Sequence, residues 1–286
     1  MKNQHLRQLL ELSLATVFIS TSGVLGKFID MPPPLTVWWR AALAMLILLG
    51  YCKYKKINLK LNKKDVPSFI LSALFLGAHW VTYFYALKLS NVALGILSLY
   101  TFPIITALLE PLFFKTKLNP IHIVLGLLVL LGIYILVPEL NYQNTYVKGI
   151  LFGILSALLY ALRTLILKSH VPNYNGTMLM FYQLLIVSIA LLPILFYYGS
   201  SNIETQFPYV ILLALLTTAI GHTLFIKSLK YFSVSTASII SSMQPIYAII
   251  LAYLFLKEIP TWNTFLGGLL ILATVVIESV RSKKNT

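Results

Sequence analysis

The stretch from Lys88 to Gly132 occurs twice in this chain, the second time 142 positions further on and without a gap. Of its 45 positions, 12 are identical between the copies. The register is carried by matches other than leucine: Lys88 with Lys230, Val92 with Val234, Pro103 with Pro245, Lys115 with Lys257 and Gly126 with Gly268. Both prolines sit deep in apolar runs, where a missing N–H removes a helical hydrogen bond, so helix kinks are expected at Pro103 and Pro245. A duplicated apolar unit interrupted by proline at corresponding places points to the binding site of a secondary carrier.

Composition fixes the solvent. Only 10% of the 286 residues are charged and 58% are hydrophobic, whereas a soluble domain is roughly a quarter charged. The net charge of +14 comes from basic residues in short breaks between apolar runs rather than from one hydrophilic face, which speaks against a nucleic-acid partner. The single cysteine, Cys52, excludes an intramolecular disulfide and a paired-cysteine metal site. The apolar run from Leu9 to Ile29 is too long for the core of a signal peptide, and further spans follow at once, so it reads as an uncleaved first helix.

With about 20 apolar residues per crossing, the chain divides into ten spans near 9–29, 34–52, 68–88, 92–114, 120–138, 147–168, 176–198, 207–227, 233–256 and 261–281. The expected fold is an all-α integral membrane protein, one membrane domain with a first five-helix repeat at 1–142 and a second at 143–286. Five is odd, so the two repeats must cross the membrane in opposite senses, as in alternating-access carriers. Placing both termini in the cytoplasm puts 16 Lys and Arg residues on the inner side and Lys27, Lys88, Lys148 and Lys257 on the outer. That asymmetry predicts a multi-pass protein of the inner (plasma) membrane.

These residues resemble those of the EamA family of the drug/metabolite transporter superfamily, over nearly the whole chain and in both halves. The resemblance rests on Trp38-Trp39-Arg40, on Ala86-Leu87-Lys88-Leu89-Ser90 followed by Pro103 and Gly126, and on Ser228-Leu229-Lys230-Tyr231-Phe232 followed by Pro245, Lys257-Glu258 and Gly267-Gly268. It implies ten helices, a solute path between the repeats, and export or exchange of small metabolites such as amino acids. The first copy departs from the pattern, with Thr116-Lys117 where Glu258 stands in the second.

Charges inside spans need a reason, because each costs around 2.5–3.5 kcal/mol on insertion scales. Arg40 has two readings, a contact for a substrate anion or gate, and a side chain reaching for the outer headgroups. Glu110 and Arg163 lie at matching depth and form a candidate gating ion pair; Lys115 or Lys117 is the alternative partner for Glu110, and the inner surface for Arg163. His79 and His222 are candidates for proton coupling, or neutral hydrogen-bonding groups between helices. Around the prolines and in neighbouring spans, Trp80, Tyr83, Tyr100, Thr101, Tyr160, Tyr182, Gln183, Ser242 and Gln244 join Arg40 and His79 as candidate substrate-binding residues. Aromatic walls with a few polar groups suit an amphipathic organic solute, although ordinary packing accounts for much of the tyrosine content.

The expected function is therefore secondary transport of small metabolites, amino acids or similar amphipathic solutes, by alternating access through a cavity between the repeats. The expected partners are a small-molecule substrate, the lipid bilayer and, as a candidate coupling ion, the proton, with the chain a monomer or homodimer. No cofactor or metal is called for. The alternatives are a carrier for lipophilic or phosphorylated solutes and, in a different class, a membrane enzyme or channel. The sequence offers no HExxH, GxSxG or phosphate-loop pattern for the enzyme and no filter-like glycine-rich loop for the channel.

Overall fold

The computed structural model describes residues 2–114, 120–136, 143–199, 201–232, 237 and 241–284, with side chains described from residue 7 to 277 and at 280. Residues 115–119, with Lys115, Thr116 and Lys117, and residue Val234 lie outside that set. Among the described residues every regular element is helical. In order these are α1 (Lys2–Phe28), α2 (Pro33–Tyr54), a 3-10 turn (Lys63–Asp65), α3 (Val66–Leu89), α4 (Val92–Leu99), α5 (Phe102–Phe114), α6 (Pro120–Leu136) and α7 (Thr145–His170). Then follow α8 (Gly176–Ala190), α9 (Pro193–Tyr198), α10 (Ile203–Leu212), a π-helical segment (Leu213–His222), α11 (Thr223–Ser228), α12 (Gln244–Leu256) and α13 (Trp262–Lys284).

Among the described residues, six helical stretches are long and apolar enough to cross a membrane: Arg7–Phe28, Pro33–Tyr54, Lys63–Leu89, Val92–Phe114, Thr145–His170 and Ile203–Ser228. Four shorter apolar stretches of 10–17 residues are also found among the described residues: Pro120–Leu136, Gly176–Ala190, Gln244–Leu256 and, within α13, Trp262–Ile277. This is a multi-pass membrane protein. Its outward faces fit lipid: Leu127, Leu130 and Tyr134 on α6 are each 62% exposed, a surface that water would not tolerate.

Asparagine side chains start several helices, as their short polar groups favour. Asn91 accepts from the Leu94 N–H, Asn144 from Tyr146 and Asn175 from Thr177. Pro103 and Pro245, expected to kink their spans, stand directly after a turn in the chain. Pro103 and Pro245 each occupy the second residue of a helix, α5 and α12, where the missing N–H has no intrahelical partner to lose. The chain turns just before them, at Tyr100-Thr101 and at Ser242-Met243. Phe102 and Gln244, the first residues of the two helices, stand 142 positions apart.

Helix α3 packs along α7, and α1 packs against the π-helical segment and α12. Helices α4 and α5 also rest on α7, α2 lies on α8 and α6 on α13. Small residues let backbones approach, as is usual between membrane helices. A Cβ on Gly267 would fall 2.7 Å from the carbonyl oxygen of Gly132, and one on Gly149 would fall 2.7 Å from Ser90 Cβ. Antiparallel packing of α3 and α7 thus sets Ser90 beside Gly149 at one end of the bundle and joins Ser68 to His170 by a hydrogen bond at the other.

Candidate functional site

Where these helices converge, the structure encloses a cavity of about 30 Å³. Its wall combines Ile19 and Ser22 of α1, His79, Trp80 and Tyr83 of α3, Ile96 and Leu99 of α4, and Tyr100 and Phe102 at the chain break. Tyr160 of α7, His222, Phe225 of α11, Ser241 and Gln244 complete it. A water needs roughly 10–15 Å³ of such space, so the cavity is closed on anything larger than about two waters.

Seven of the residues singled out in the sequence come together here: His79, Trp80, Tyr83, Tyr100, Tyr160, His222 and Gln244. His79 is anchored by Ser156, whose hydroxyl lies 2.7 Å from Nδ1 and donates to the His79 carbonyl at 2.8 Å. His222 packs against Trp80, with ring centroids 5.4 Å apart. Tyr100 donates to the carbonyl of Ser241, which ties together the two breaks that precede α5 and α12. Ser242, beside it, is buried.

Arg40 stands one layer back and is fully buried, so the route to the outer headgroups is not the one it takes. Its guanidinium stacks 4.0 Å over the Trp80 ring. Nε donates to Thr218 Oγ1 at 2.6 Å and Nη2 to Thr217 Oγ1 at 3.2 Å. Both threonines lie in the π-helical segment, a winding often found at functional sites because it changes which side chains share a face.

Arg163 is buried as well, 5.5 Å from the centre of the Tyr160 ring. It donates to Gln183 Oε1 at 2.8 Å, and Gln183 donates on to Ser72 at 3.2 Å. The geometry therefore turns Arg163 to a neutral amide rather than to Glu110, which is exposed on α5 with the Lys168 ammonium as an electrostatic neighbour. Two other candidates lie away from the cavity. Tyr182 donates to the Leu59 carbonyl at 2.6 Å, fastening the loop before α3, and Thr101 faces a separate apolar cleft of about 350 Å³ between α5, α6 and α7.

Sequence reading missed Ser22, Ser72, Ser156, Thr217 and Thr218. The adjacent threonines inside an apolar span were a usable signal, since buried hydroxyls need partners; the π winding that aims them at Arg40 left no mark in the sequence. Several buried polar atoms of the site have no partner among the described residues: Arg40 Nη1, Arg163 Nε, Trp80 Nε1, Tyr83 Oη, His222 Nδ1 and Ser241 Oγ.

Both ends of the bundle are tied by lysines. Lys27 Nζ donates to the carbonyls of Leu87 at 2.8 Å and Ser90 at 2.7 Å, and Lys88 Nζ to that of Ile29 at 2.6 Å. Beside them, Glu258 Oε2 accepts the Val92 N–H at 2.8 Å, satisfying a free donor at the start of α4, and its charge acts on Lys27. At the opposite end Lys168 Nζ donates to the carbonyls of Leu229 at 3.1 Å and Phe232 at 3.4 Å.

Apolar helices packed around a small cavity of aromatic walls and a few polar groups, with lysine ties at both ends of the bundle, are the build of a solute-carrying membrane protein. The chain belongs to the EamA-like transporter family, whose model matches it twice, over residues 8–137 and 147–280. It is 26% identical over 282 residues to an uncharacterized transporter, YxxF, of Bacillus subtilis, covering 95% of this chain and 89% of that protein. It is 22% identical over 258 residues to the pseudopaline exporter CntI of Pseudomonas aeruginosa, covering 89% and 88%. Similarity to the S-adenosylmethionine uptake transporter of Rickettsia felis is 30% over 120 residues, 42% of this chain and 41% of that one. A crystal structure of a protein with no functional description matches with a TM-score of 0.70 at 17% identity, covering 97% of this chain and 98% of the other, a likeness of fold. The family and these relatives carry the names of transporters rather than of enzymes.

Proposed function

We propose that this membrane transporter of the drug/metabolite type is a secondary carrier. It exports or exchanges small metabolites, amino acids or similar amphipathic solutes, by alternating access through the central cavity between two inverted repeats, 1–142 and 143–286. The observation that carries this reading is the pairing of contacts across the chain. Helix α1 packs on the π-helical segment as α7 packs on α3, and α1 meets α12 as α7 meets α4 and α5. Lys27 and Lys168 stand 141 positions apart, and the carbonyls they hold, Leu87 with Leu229 and Ser90 with Phe232, stand 142 apart.

The same lysine clasp thus occupies opposite ends of the bundle. An acidic residue of the other half acts on each lysine, Glu258 on Lys27 and Glu110 on Lys168. A clasp at each end, around a cavity too small for an organic solute, corresponds to an occluded state from which either end can be released. The basic residues support an inner-membrane orientation with both termini cytoplasmic, and direction stays with the proposal, because one relative is named for export and another for uptake.

The test is counterflow in proteoliposomes loaded with unlabelled amino acids and offered the labelled form outside. A carrier gives saturable uptake stimulated by internal solute. Uptake without such stimulation identifies a channel, and covalent conversion of the solute identifies an enzyme.

A further inference from the structure

We infer that the solute is an organic anion, a carboxylate with an apolar or aromatic body, and that Arg40 is the cation that compensates its charge. This rests on the carrier reading and narrows it. Two guanidiniums, Arg40 and Arg163, are fully buried just behind one small cavity, each against an aromatic residue of its wall, Trp80 and Tyr160. Their protein partners are uncharged: two threonine hydroxyls, one glutamine amide and aromatic faces. Among the described residues no carboxylate lines the cavity or bonds to either group. A buried cation without a counter-ion is strongly unfavourable, and a bound anion supplies what the protein leaves out.

The hydrogen-bonding balance points the same way. Arg40 Nη1 and Trp80 Nε1 can only donate, and neither finds an acceptor among the described residues. Tyr83 Oη and Ser241 Oγ, in the cavity wall with Trp80, are without a partner among the described residues and can donate too. The two threonines fix Arg40 through Nε and Nη2, which leaves one edge of a rigid fork unsatisfied. A carboxylate has acceptors and no donor, so it matches this surplus; an amine would add donors and a third positive charge. The aromatic surfaces of Trp80, Tyr83, Tyr100 and Tyr160 suit the body of the solute.

The test uses the purified full chain and four probes of similar size: 3-phenylpropionate, its amide, 3-phenylpropylamine and phenyl phosphate. Thermal unfolding should shift upward by several degrees with the acid and not with the amide or amine. Arg40→Gln should abolish the shift while Arg40→Lys keeps part of it; if neither variant folds, discrimination by the wild type decides alone. Equal or better stabilisation by the amide or amine, stabilisation by phenyl phosphate alone, or silence of the acid would overturn the inference. Counterflow with the binding probe separates it from the carrier reading. An amine that binds and exchanges leaves a carrier of another specificity. An acid that binds but never exchanges leaves an anion site in a protein that is not a carrier.

Discussion

At the scale of single residues, the stability of the site depends on neutral groups that hold buried charge. Thr217→Val with Thr218→Val removes both hydrogen-bond partners of Arg40 at 2.6 and 3.2 Å. Leaving a buried charged group unsatisfied costs about 1–3 kcal/mol or more, so the double variant should melt well below the wild type in a detergent thermal-shift assay. Gln183→Leu should be comparably damaging, because it takes the hydrogen-bond acceptor from Arg163 and leaves Ser72 with only its bond to the Phe69 carbonyl. Tyr182→Phe is the contrast. It gives up one bond to the Leu59 carbonyl in the loop before α3, so it should cost about 1 kcal/mol and leave transport intact. Equal loss of melting temperature in Gln183→Leu and Tyr182→Phe would remove the Arg163–Gln183–Ser72 chain from the account of stability. Polarity in an apolar span was enough to pick out Arg40, Arg163 and Gln183. Polarity also picked out Tyr182, because the sequence does not say which side of a helix meets a cavity and which meets a loop.

At the scale of elements, the close approach of α6 and α13 is decided by glycine. A methyl on Gly267 would sit 2.7 Å from the Gly132 carbonyl oxygen and 2.9 Å from Leu136 Cγ. Gly267→Ala must therefore push the helices apart, at a cost of about 1–3 kcal/mol. Gly50→Ala, in α2 with open space around it, should be stabilising by roughly 0.5–1 kcal/mol. The two melting temperatures should move in opposite directions. The prolines invite a second comparison. Because Pro103 and Pro245 are each the second residue of a helix, replacing either by alanine forfeits a pre-set φ worth about 0.4–1 kcal/mol, far less than the ~3 kcal/mol scale of a proline forced into a helix interior. A loss of several kcal/mol on Pro103→Ala would show that the ring packs in a way its helix position does not require.

At the scale of the whole molecule, the prediction concerns which end opens. Ser22 lines the cavity, so a cysteine placed there, with Cys52 replaced, reports its accessibility to a membrane-impermeant maleimide from each side. Lys27→Met should speed labelling from the end that holds Leu87 and Ser90, and Lys168→Met from the opposite end. Both substitutions speeding labelling from the same side would rule out alternation between the two clasps. Composition, the Lys88–Gly132 duplication and the basic-residue asymmetry were sufficient by themselves to give an apolar helical bundle of the transporter class, because lipid forces every backbone group into internal hydrogen bonds and leaves long helices as the economical solution. Tertiary structure alone decided that Arg163 meets Gln183 instead of Glu110, that Thr217 and Thr218 hold Arg40, and that Lys27 and Lys168 clasp opposite ends. Those pairings join residues 20 to 178 positions apart, and they depend on helix rotation and on one π-helical segment. Rotation of an apolar helix is set by the fit of its neighbours in three dimensions, which no periodicity along the chain encodes.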